Sequence, residues 1–154
     1  MVESFDEDND FYTGPPLDED MLGRAEETLG VRLPRTYVEV LFHHNGGLLK
    51  RRCCPTEFPT SWAASHFEIL ALLGIGGDWG IDAPLGSTYL ISEWDYPEIA
   101  IVICAMPSGG HDAVMLDYSE SGPEGEPAVA CIDEDRIPRR VAGSFPFVSP
   151  FSCL

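Results

Sequence analysis

The chain has 154 residues, 44% hydrophobic and 10% aromatic, with 26 Asp and Glu against 9 Lys and Arg, a formal net charge of -17. That length supports one core and not two, and so acidic a surface repels phosphate backbones and anionic headgroups, which argues against nucleic acid and membrane ligands. No apolar run approaches the roughly 20 residues of a membrane span. No basic segment followed by an apolar one opens the chain, and the five cysteines, Cys53, Cys54, Cys104, Cys131 and Cys153, lack the spaced pairs of a zinc site. The expectation is a cytoplasmic protein with reduced thiols and neither metal nor cofactor.

Residues 1–13 carry Glu3, Asp6, Glu7, Asp8 and Asp10 with no compensating base, and read as a flexible acidic arm ahead of a single domain, 14–154. "TGPP" then breaks the chain. In "LDEDMLGRAEETLG" acids cluster in the first turn, Leu22, Ala25 and Leu29 recur at helical spacing, and Gly30 stands at the C-terminal cap position, so a first helix is expected. In "PRTYVEVLFHHNGG", Pro34 suits the first helical position, Tyr37, Val40, Leu41 and His44 share a face, and Asn45-Gly46-Gly47 ends the run. This is a second helix.

"LLKRRCCPTEFPTSW" reads as loop with one strand at most. Residues 67–73 are strand-like and apolar, and a glycine-rich segment follows. Gly74 and Gly76 fit the first two places of a dinucleotide fingerprint, but Trp79 occupies the third and no helix is evident afterwards. A long loop is therefore preferred over a phosphate site. In the last third "IAIVICAM", "DAVMLDY" and "PAVACID" are β-rich runs separated by turn-dense segments, an antiparallel meander. The first is apolar at nearly every position, as a central strand covered by a helix requires. "EDRIPRRVAGSFPFV" is expected to close the chain as a short helix holding Val141, Phe145 and Val148 against the sheet.

One stretch of this meander, "CAMPSGGHDAVMLDY", gathers a thiol, a hydroxyl, an imidazole and two carboxylates. Gly109-Gly110 lies where a hairpin needs residues tolerant of positive φ. Cys104 falls within an apolar strand, where burial raises a thiol pKa. Ser108, His111 and Asp112 cannot align as nucleophile, base and orienter, because strand neighbours alternate faces. A turn is preferred over a hydrolase site, so no catalytic residue is assigned. His43 and His44 project about 100° apart on a helix and cannot share one metal from it. The basic runs Lys50-Arg51-Arg52 and Arg136, Arg139, Arg140 read as solvated turn and helix-end charge. Trp79, Trp94 and Tyr96 default to core positions, yet they stand beside Asp78, Asp82, Asp95 and Glu98 in loop-like sequence, a setting in which aromatics anchor partners.

The order of these elements resembles the SUKH superfamily, which joins fungal cell-wall-synthesis regulators with bacterial immunity proteins of polymorphic toxin systems. The resemblance rests on "LGVRLPRTYVEVLFHHNGG", Leu29 to Gly47, with its Leu-Pro, a Tyr three residues on and the Asn-Gly-Gly ending. It rests also on "IAIVICAMPSGGHDAVMLDY", "PAVACIDED" and "VAGSFPFV". It covers about Leu17 to Val148. It implies an α+β fold, an antiparallel sheet with a C-terminal three-strand meander and N-terminal helices packed on it, and binding rather than catalysis. The expected partner is a basic protein, a toxin domain such as a nuclease, because an acidic inhibitor is steered to a basic groove. A regulatory or scaffold module with a cellular protein partner is the alternative. The expected contact residues are Asp78, Trp79, Asp82, Trp94, Asp95, Tyr96 and Glu98.

Overall fold

The computed structural model describes residues 5–50, 53–55, 59, 66–96, 98, 100–107, 112–133, 135–143 and 145, with the backbone alone at 53–55 and 66–67. Helix α1 spans Glu19–Leu29. The Asp18 carboxylate accepts the Met21 N–H at 2.8 Å to start it, and Gly30 ends it with φ 69, a left-handed conformation that costs glycine least. Helix α2 spans Arg35–His43, with Pro34 as its cap rather than its first residue, and Tyr37, Val40 and Leu41 turned inward.

The strands follow as β1 (Gly47–Leu48), β2 (Cys53–Pro55), β3 (His66–Glu68) and β4 (Ala71–Leu72). After α3 (Ser87–Trp94) come β5 (Ala100–Val102), β6 (Cys104–Ala105), β7 (Ala113–Asp117), β8 (Ala128–Ile132) and β9 (Arg139–Ala142). All pairings are antiparallel: β5-β7-β8-β9, β1-β4-β6 and the hairpin β2-β3. The α+β architecture expected from the sequence is what the chain forms.

Residues 100–105 join the two larger sheets. The Ile103 N–H donates to Val114 O at 3.0 Å, and Ile103 O accepts the Leu73 N–H at 2.8 Å. Side-chain alternation then divides this apolar run between two cores. Ile101 and Ile103, with Leu116 and Val129, pack with Ala25 of α1 and Tyr37, Val40 and Leu41 of α2. Ala100 and Val102, with Met115 and Ala130, pack under Leu90, Ile91 and Trp94 of α3. Both faces are covered by helices, which is why the run shows no polar alternation. Two buried phenols fasten the helical layer: Tyr37 donates to Leu73 O at 2.5 Å and Tyr118 to Arg32 O at 2.7 Å.

Two expectations are corrected. Residues 139–142 form β9, not a final helix, because Pro138 and Gly143 leave too few residues for stable turns while the edge of β8 offers free pairing groups. Phe145 is still buried, edge-on to Tyr37 at 5.2 Å; Val148 lies outside the described residues. Second, a helix does follow the glycine-rich segment. Ser, Thr, Tyr and Ile dominate "STYLISEW" and are modest helix formers, so the Leu90, Ile91, Trp94 stripe, which buries against β5, is what decides it. The acidic segment ahead of the helices makes contacts of its own. Phe5 is 1% exposed, stacks on His44 at 4.3 Å and bridges Leu49, and the Asp6 N–H donates to Leu48 O at 2.8 Å. An open strand edge satisfies its backbone groups by such a cover.

Candidate functional site

The segment between β4 and α3 is held by its main chain. Asn45, 4% exposed, accepts the Ile75 N–H at 2.9 Å and donates to Ile75 O at 2.7 Å and Pro15 O at 2.6 Å. A Cβ on Gly74 would lie 2.5 Å from Asn45 O, so glycine is required there by close approach. The Asp82 carboxylate accepts the Gly76 N–H at 2.9 Å, Ile81 N–H donates to Gly74 O and Ser87 N–H to Ile81 O. A carboxylate of the chain thus takes an amide that a phosphate would need, which removes the physical basis of the dinucleotide reading.

Pinned in this way, the loop turns Trp79 outward, 38% exposed, against two aromatics of the N-terminal segment. Its ring centroid lies 5.4 Å from Phe11 and 5.7 Å from Tyr12, which are 5.0 Å from one another. Beside this cluster runs a cleft of about 210 Å³, walled by Tyr12, Trp79, Leu85, Tyr96 and Met106, with Asp112 at its floor. Asp112 is 2% exposed. Burial, and then the nearby charges of Asp112 and Asp133, hold the Tyr96 phenol above its usual range.

The seven expected contact residues divide. Trp79 and Tyr96 share the cleft, Tyr96 as a buried residue of its wall, with Asp78 adjoining Trp79 in a smaller hollow against Phe11 and Tyr12. Asp82 holds the loop. Trp94 is half-buried against the second core, and its carbonyl accepts from Arg136 Nε at 3.3 Å. Asp95 ends α3 with φ 56. It borders, with Tyr96 and Glu98, a separate hollow on the far side of α3 that includes Thr88 and Ser92. Phe11, Tyr12, Leu85 and Asp112 were not among the expected contacts. The signal for the first two was present, an aromatic pair within an otherwise acidic segment.

Cys104 also reaches the cleft wall, but burial, and after it the neighbouring Cys131, pushes its thiol pKa well up. Burial and the Asp112 charge push Cys131 to about 12. Neither is an activated nucleophile. Ser108, Gly109, Gly110 and His111 lie outside the described residues. Among the described residues no group of three or more His, Cys, Asp or Glu is placed to hold a metal, and no helix is long and apolar enough to cross a membrane.

The stretch that builds the helix pair, the Asn45-Gly46-Gly47 corner and the two larger sheets falls within the span of a known family. The profile of the SMI1 / KNR4 family (SUKH-1) matches residues 16–146. The chain belongs to this family. No curated protein and no solved structure matches it. The SUKH-1 span begins after Tyr12, so the aromatic cluster combines Trp79 from inside the span with Phe11 and Tyr12 from the segment before it.

Proposed function

We propose that this SUKH-1 chain is a non-catalytic protein-binding module, an immunity protein that binds and neutralises a basic toxin domain in the cytoplasm. Membership of a family that includes immunity proteins supports the reading. The observation that carries it is the Phe11–Tyr12–Trp79 cluster, with Phe11 and Trp79 exposed, on a chain of net charge -17. Exposed aromatics give an interface its anchors. The surrounding negative potential accelerates encounter with a basic partner and rejects acidic ones. The proposed contact face is centred on Asp78 and Trp79, with Asp82 holding the loop beneath them and Tyr96, 5% exposed, backing the cleft wall. Trp94 supports α3 from the second core, and Asp95 and Glu98, at the separate hollow, add negative charge at longer range.

The test is affinity capture with the full chain from its own cells, followed by an activity assay of the captured protein. A toxic enzyme silenced by an equimolar amount of the chain is the expected result. A captured partner whose activity is harmless, or untouched by the chain, replaces this reading with that of a regulatory module.

A further inference from the structure

The cleft beside Trp79 constrains what the partner inserts. Its volume, about 210 Å³, is below the roughly 300 to 1,000 Å³ of small-molecule and cofactor sites, and suits a single side chain. Its walls are aromatic and aliphatic, through Tyr12, Trp79, Leu85 and Met106, and its floor carries Asp112. Asp78, next to Trp79 in the chain, lines the adjoining hollow that shares Tyr12 and Trp79 with the cleft. Among the described residues lining either hollow there is no Lys or Arg. Leu85 is 55% exposed and Phe11 57%, which leaves an apolar rim open to solvent.

Resting on the protein-binding reading, we propose that the cleft receives one arginine side chain of the partner. The methylene stem lies against Leu85 and Met106, and the guanidinium stacks on the Trp79 or Tyr12 ring within the field of Asp112 and Asp78. Arginine fits better than lysine because its planar ion is more weakly hydrated and stacks on aromatic faces. It fits better than an aliphatic residue because a cation is drawn both to ring faces and to the carboxylates. Arginine is also the charged residue most often found as an interface anchor.

The test uses the full chain and three small probes: the N-acetyl methylamides of arginine, lysine and norleucine. The readout is the Trp79 indole N–H resonance, assigned with Trp79→Leu. Arginine should shift it saturably, lysine more weakly, and the neutral norleucine least, with the arginine effect reduced by high salt. In Trp79→Leu, the Ala113 and Met106 amides should report arginine binding weakened about 5-fold or more. Equal responses to norleucine and arginine, or an arginine response that does not saturate, overturn the inference. A chain that silences its toxin yet ignores the arginine probe overturns this inference alone. A chain that binds the probe and silences no toxin overturns the immunity reading alone.

Discussion

Asn45 grips Ile75 by both backbone groups, its Oδ1 accepting the Ile75 N–H at 2.9 Å and its Nδ2 donating to the Ile75 carbonyl at 2.7 Å. A side-chain amide here does what a neighbouring strand does elsewhere in the sheet. Replacing it by alanine strands both groups in a buried place, where each unsatisfied partner costs about 1 to 3 kcal/mol. Asn45→Ala is therefore expected to lose about 3 kcal/mol in urea unfolding. Asn45→Asp should fare no better, since its second oxygen would face the Pro15 and Ile75 carbonyls. A loss near zero in both variants would show that the loop is held by other means.

Phe5 and Phe11 should respond in opposite ways. Phe5 is in the core and Phe11 is exposed, so Phe5→Ala should cost about 3 to 5 kcal/mol while Phe11→Ala stays within about 0.5 kcal/mol. Thermal midpoints of the two variants decide the matter. Equal midpoints would favour the flexible-arm expectation.

Alkali should weaken the fold through its thiols. In the unfolded chain a cysteine ionises near 8.5, whereas burial holds Cys104 well above that and Cys131 at about 12. Between those values the folded state keeps protons that the unfolded state has lost, so stability is full below pH 8.5 and falls as pH rises toward 12. The urea midpoint should drop across that window, and less steeply in Cys104→Ala than in the parent. The native chain should also resist thiol reagents at Cys104 and Cys131. Fast labelling of either would contradict their burial.

On the partner side, charge and aromatic contact should separate kinetically. Asp78→Lys with Glu98→Lys should slow association with the captured partner and flatten its salt dependence, and Trp79→Ala should mainly speed dissociation with an unchanged thermal midpoint. Trp94→Ala should instead lower the midpoint, because Trp94 packs against the second core. Association unaltered at low salt by the charge reversals would move the search to Asp18, Glu19 and Asp20 on α1.

Wherever a residue's neighbours lie close in sequence, its place was legible. Gly30 announces the end of α1, and Val129 and Cys131 announce β8 by alternation. The apolar run around Ile103 announces a covered strand. It does not announce that the strand serves two sheets, because that depends on which edges meet it from far along the chain. The contacts of Phe5 were not legible for a related reason: local composition around it is acidic, and its partners, the edge at Leu49 and the ring of His44, lie far along the chain. At the candidate site, Trp79 was legible as an aromatic in a loop. Its pairing with Phe11 and Tyr12 was not, since more than sixty residues separate them and no periodicity links them.

The way Asn45, Gly74 and Asp82 fasten the loop also bears on how such a protein can change. Their bonds run to backbone groups, which every amino acid carries, so the path of the loop makes little demand on the side chains at Asp78, Trp79 and Leu85. Those positions can be exchanged one at a time while the scaffold beneath keeps its shape. Point substitutions at these positions therefore alter the surface the loop presents without unfolding the scaffold that holds it.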